Sequence, residues 1–118
     1  ENRAVTVVHP HWVIPPPGPL VAAAAQADVV IVVEDGLVDG GIGSQLRDAV
    51  EDYRAGRPDA AGPRVWRRIG IPRQFIDTAT RDQLLEDFGM RAPDIAEAAR
   101  AAADGAARAP GVRDLGAE

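Results

Sequence analysis

The stretch Val29 to Ser44, VVIVVEDGLVDGGIGS, constrains this chain more than any other. Val29 to Val33 are five β-branched residues without polar alternation, which suits a strand covered on both faces, and the run is too short for a buried helix. Two carboxylates follow at Glu34 and Asp35. A turn carrying Gly36, Gly40, Gly41 and Gly43 comes next, then Ser44 and a helical pattern. A strand, loop and helix in this order place working residues at the carboxyl end of a parallel sheet.

The flanking sequence reads as support for that unit. Ala4 to Val8, AVTVV, predicts a second strand, broken by His9-Pro10-His11-Trp12. The prolines of VIPPPGP, residues 13 to 19, fix φ and remove donors, so an extended connection is expected there. A helix can start near Pro19 and run to about Ala27, giving a β, α, β order that implies parallel strands and a right-handed crossover. After the glycine turn, Ile42, Leu46, Ala49, Val50 and Tyr53 form one apolar helical stripe, which Gly56 ends. Arg64 to Ile71 predicts a third strand, and Phe75 and Ile76 a short turn of helix. Thr80 with Gln83 is a capping-box pattern, Leu84, Leu85 and Phe88 are expected to pack inward, and Gly89 to stop that helix. Pro93 can open a last helix, with Asp94 and Glu97 favoured by its dipole and Ile95, Ala98, Ala99, Ala102 and Ala103 as its weak apolar face. Residues 1–108 are read as one α/β domain and 109–118 as a disordered tail.

Composition narrows the function classes. The 118 residues are 46% hydrophobic, but much of that is Ala and only five residues are aromatic, so the core is thin. Such a domain is expected to finish its burial against something else, leaving an exposed apolar face around Trp12, Trp66 or residues 13–19. With no Cys there are no disulfides or thiolate metal sites. No apolar run approaches the roughly 20 residues that span a bilayer, and Glu1-Asn2-Arg3 does not open a signal peptide, so a cytoplasmic protein is expected. A net charge of -5 disfavours nucleic acid and anionic membrane as partners. All thirteen basic residues are Arg, which excludes lysine Schiff-base chemistry within the chain.

Three groups are candidates for chemistry. Gly41, Gly43 and Ser44 lie where helix-start amides could hold a small anion, but the Lys of a P-loop is missing, and the same glycines serve equally to pack the helix start against the strand. Ser44 lacks the G-x-S-x-G setting of a nucleophile and reads as a helix-start hydroxyl. Glu34 and Asp35 could act as acid and base, yet adjacent side chains at a strand end point apart, so one is expected to accept loop amides or an Arg while the other is solvated. His9 and His11 are the only histidines, and two ligands do not make a metal site. Arg64, Arg67, Arg68 and Arg73 are read as forming ion pairs at an interface.

Four segments in order carry a family resemblance: VTVVHPHWVIP at 5–15, DVVIVVEDGLVDGGIGSQL at 28–46, RRIGIPRQFIDTATRDQLLEDFGM at 67–90 and APDIAEAAR at 92–100. The Glu34-Asp35-Gly36 strand end is part of that signature. Together they resemble the C-terminal domain of the 1-deoxy-D-xylulose-5-phosphate synthases, transketolase-like enzymes dependent on thiamine diphosphate.

The resemblance implies a three-layer α/β/α, Rossmann-like domain with a mostly parallel sheet, incomplete here because the first strands of the order 1-3-2-4-5 would lie upstream. It implies a parent transferase of isoprenoid precursor synthesis that condenses pyruvate with glyceraldehyde 3-phosphate, using thiamine diphosphate and magnesium. Those ligands are expected in preceding domains, so no catalytic, cofactor or metal residue is carried over. The domain's implied partners are those preceding domains and a second subunit of a homodimer. His9, His11 and Ile14 to Pro17 depart from the family pattern, which leaves both a working synthase and a diverged, inactive copy open. The reading from another class is a free-standing regulatory module that binds a small anion at Gly41 to Ser44.

Overall fold

The computed structural model describes residues 2–108, and the expected tail at 109–118 lies outside them. The elements run α1 (Gly18–Gln26), β1 (Val29–Leu37), α2 (Ile42–Ala55), β2 (Val65–Ile71), α3 (Arg81–Asp87) and α4 (Ala92–Arg108). β1 and β2 pair in parallel, Val29 against Val65 through Val33 against Ile69, and α2 is the crossover between them.

Alternation along the strands sorts their side chains into two cores. Val30, Val32 and Trp66 face α1 and α2, where they meet Val21, Ala24, Ala25, Leu46 and Val50. Val29, Ile31 and Val65 face α4 and meet Ala102 and Ala106. Helices therefore cover both faces, which is why the β1 sequence shows no polar alternation. The layers are α/β/α, as expected, around a sheet of two strands among the described residues. Trp66, 2% exposed, is the largest buried side chain, and its burial contributes on the order of 3 kcal/mol. The expectation that Trp66 helps form an exposed face is corrected: it sits on the strand face that α1 and α2 cover.

The predicted α2 stripe is observed, with Leu46 and Val50 buried and Gly56 at the C-cap. Just past its C-terminal end, the Arg57 guanidinium lies 3.8 Å from the centre of the Tyr53 ring. At α3 the capping box forms as the sequence predicts: the Thr80 side chain accepts from the Gln83 N–H, and the Gln83 side chain accepts from the Thr80 N–H. Gly89 ends the helix at φ 65°. Its N–H donates to Glu86 O and that of Met90 to Leu85 O, the two bonds of a Schellman stop. The apolar residues of α3 are only half covered, and none of its residues is fully buried. Asp94 in the first turn of α4 accepts from the Arg91 backbone and guanidinium. The guanidinium hydrogen bond is the main reason its carboxyl is held below the usual aspartate range.

Two predicted elements do not form. Ala4 to Val8 is irregular and exposed, with Val5 78% and Val7 87% accessible. Its composition favours a strand, but strand structure needs a ladder partner, and β1 pairs only with β2 among the described residues. Phe75 and Ile76 lie in an open loop rather than a helical turn: the segment makes a tight Gln74 N–H to Pro72 O turn, and Phe75, fully exposed, finds no apolar face to pack on. Trp12, Val13 and Ile14 are exposed, as expected for that segment.

Candidate functional site

β1 extends further than the apolar run predicts, through Glu34, Asp35 and Gly36 to Leu37. The extension is irregular. Val33 faces Ile69 and Leu37 faces Ile71, so four steps of β1 lie against two of β2. A bulge of this kind re-aims side chains at the end of a strand, and here it sends those of Glu34 and Asp35 to different partners.

Glu34 turns toward α2. Its Oε2 accepts the Ile42 N–H at 2.8 Å, so a carboxylate caps the positive end of the helix. Its other oxygen, Oε1, is buried and has no hydrogen-bond partner among the described residues. Gly41 makes room for this group: a β-carbon there would lie 2.6 Å from the carboxyl carbon and closer still to Oε2. Gly43 is buried against the stem of Arg68, which a β-carbon would meet at 3.0 Å. The helix start that sequence reading offers to an external anion thus already holds a carboxylate of this chain.

Arg68 reaches across from β2. Its Nη1 donates to Val38 O at 3.1 Å and to Ser44 Oγ. Ser44 Oγ also lies 3.4 Å from Val38 O, a bond that fixes the hydroxyl on the turn. Val38 O accepts from the Gly41 N–H as well, at 3.5 Å. Asp35 points outward to Arg81, the first residue of α3, in an exposed ion pair. A β-carbon on Gly36 would meet nothing within 4 Å, whereas one on Gly70 would lie 3.0 Å from both the Glu34 and the Gly36 carbonyl oxygens.

The structure therefore brings Glu34, Gly41, Gly43 and Ser44 together and leads Asp35 away from them. His9 and His11 lie edge to face, with ring centres 6.1 Å apart, on the exposed N-terminal segment. Among the described residues no three His, Asp or Glu side chains converge as metal ligands would. Of the arginines read as forming ion pairs, Arg64 lies 3.9 Å from Asp28 and Arg73 3.9 Å from Asp39, while Arg64 also donates to Ala106 O and Arg68 to the glycine turn. Sequence reading missed Gly70 and the inward role of Arg68. The available signal was a glycine followed by Ile-Pro at the end of a strand, opposite two consecutive carboxylates.

A parallel strand, crossover helix and strand, layered by helices on both faces and tied at the strand end by an internal carboxylate, define an α/β domain of the doubly wound class. The comparison with known families narrows this. Residues 1–95 match the model of the transketolase C-terminal domain, and the chain belongs to that family. It is 40% identical over 91 residues to the 1-deoxy-D-xylulose-5-phosphate synthase of Corynebacterium glutamicum, covering 77% of this chain and 13% of that protein. It is 39% identical over 96 residues to the synthase of Leifsonia xyli subsp. xyli, covering 81% and 14%. For the synthase of Mycobacteroides abscessus the identity is 40% over 90 residues, 76% of this chain and 13% of that protein. The chain thus spans about a seventh of the length of the relatives it matches.

Proposed function

We propose that residues 1–108 form the C-terminal domain, short of its first strands, of a thiamine-diphosphate-dependent synthase. That enzyme condenses pyruvate with glyceraldehyde 3-phosphate to 1-deoxy-D-xylulose 5-phosphate and carbon dioxide. The observation that carries this reading is the match of most of the chain to about a seventh of the length of each synthase. In it the domain is a scaffold that packs on the preceding domains and supports a cytoplasmic homodimer. No helix among the described residues is long and apolar enough to cross a membrane.

The described residues do not fit thiamine diphosphate and magnesium. The one glycine-rich helix start among them is filled by the Glu34 carboxylate, which would repel a diphosphate, and a magnesium ion that binds through phosphate oxygens would have no seat without it. Cofactor and chemistry are therefore assigned to the rest of the enzyme. What this chain's own residues do is hold the β1 end, the glycine turn and α2 in one arrangement.

The test is turnover of the longer polypeptide with both substrates, cofactor and magnesium, read as carbon dioxide release. The full enzyme should turn over, and the 118-residue chain alone should not. Turnover by the chain alone, or an inert full-length enzyme, overturns the reading, and the second outcome favours a diverged copy.

A further inference from the structure

α3 is held to the rest of the fold more lightly than any other helix. None of its residues is fully buried, and it packs closely on no other helix or strand. Leu84, Leu85 and Phe88 are half-covered and border a hollow of about 320 Å³, which Ile71 at the end of β2 and Met90 help to line. An apolar side that faces a hollow rather than a packed neighbour gains little by staying in place, so lifting α3 breaks few contacts.

Its two ends are held differently. At the amino end Arg81 pairs with Asp35 at the rim of the hollow, through side chains that are 67% and 56% exposed. An ion pair in that much water stabilises weakly and is screened by salt. Residues 73–80, which lead into α3, are exposed and without regular structure, so the chain there can follow a movement of the helix.

The carboxyl end is a pivot. Gly89 takes φ 65°, and Arg91 bonds Asp94 on α4 while pairing with Glu86 of α3 at 3.2 Å. These ties cross the turn itself, so they hold the carboxyl end of α3 whichever position the amino end takes.

We propose that α3 is a hinged flap over the carboxyl end of the sheet, which turns about Gly89 to Arg91 and is latched by the Asp35–Arg81 pair. Latched, it partly shields Ile71 and Met90 from water; opened, it uncovers them together with its own apolar side. This device is independent of the reaction proposed above.

The test is hydrogen exchange of the longer polypeptide, read by mass spectrometry on peptides of α3 and of α2. In the unaltered protein α3 should exchange much faster than α2. Asp35→Asn should speed α3 by about two- to five-fold, the worth of one exposed ion pair, and leave α2 unchanged. Raising salt from about 0.1 M to about 1 M shortens the screening length from about 10 Å to about 3 Å, and should speed α3 in the unaltered protein with much less effect in Asp35→Asn. Asp39→Asn, which removes the partner of Arg73 at the same end of the sheet, is the control and should leave α3 as it was. Equal protection of α3 and α2, no response to Asp35→Asn or to salt, a response shared by α2, or the same response to Asp39→Asn overturns the proposal.

Discussion

The carboxylate of Glu34 occupies the space that a side chain on Gly41 would need. Its carboxyl carbon lies 2.6 Å from the β-carbon position of Gly41, and its Oε2 lies 2.8 Å from the Ile42 nitrogen it caps. Gly41→Ala should therefore displace the carboxylate and cost about 1–2 kcal/mol, the usual value of a helix cap. In a Glu34→Ala background the same substitution should cost much less, and denaturant titration of the four variants gives the coupling. Additive effects would show that the two residues do not share this space.

Gly70 provides a contrast. A β-carbon there would meet two backbone carbonyls, those of Glu34 and Gly36, at 3.0 Å, and backbone moves less readily than a side chain. Gly70→Ala should cost about 1–3 kcal/mol through overpacking, and Glu34→Ala should not relieve it. An unchanged melting temperature for Gly70→Ala would contradict the close approach at the bulge.

Acid stability should depend on Asp94. The hydrogen bond from the Arg91 guanidinium holds its carboxyl below the usual aspartate range, with the charge of Arg91 acting in the same direction. A carboxyl whose folded-state value lies below its unfolded one stabilises the fold above the unfolded value, and loses that contribution as pH falls through the folded one. Arg91→Ala should flatten the decline of the urea midpoint in that acidic window and lower stability slightly at neutral pH. An unaltered slope would remove the pair from the pH response.

The free edge of β1 gives a prediction by hydrogen exchange. β1 has no charge from Val29 to Val33 and reads as an interior strand, yet among the described residues it is paired on one side only. Alternate amides of Val29 to Val33, those directed away from β2, should exchange readily in the 118-residue chain and be protected in the full-length enzyme. Equal protection in both would mean that β1 needs no further strand.

Local signals were the most legible in the sequence. The Thr80–Gln83 cap, the Gly89 stop and the α2 stripe depend on residues within a few positions of one another, and each forms as its pattern predicts. The β1 run correctly indicated a strand with helices on both faces. Val5 to Val8 misled because a strand is a pairing, and a run of β-prone residues does not reveal whether a neighbour is present. Trp66 misled because the thin core suggested a large aromatic left for a partner, while alternation along β2 turns it to the covered side. The tie between Glu34 and Gly41 was half visible: one carboxylate of the pair was expected to accept loop amides, but the bulge that selects Glu34 depends on how β1 meets β2.

The parallel pairing of β1 with β2 bears on the order of assembly. Their contact can close only over the whole of α2 and its loop, and with α1, which supplies Val21, Ala24 and Ala25 to the core around Trp66, the unit lies within residues 18–71. This unit can thus collapse as a separate nucleus, with Trp66 as its hydrophobic centre, before any distant part of the polypeptide arrives. Any further strand would then dock late, onto a preformed template.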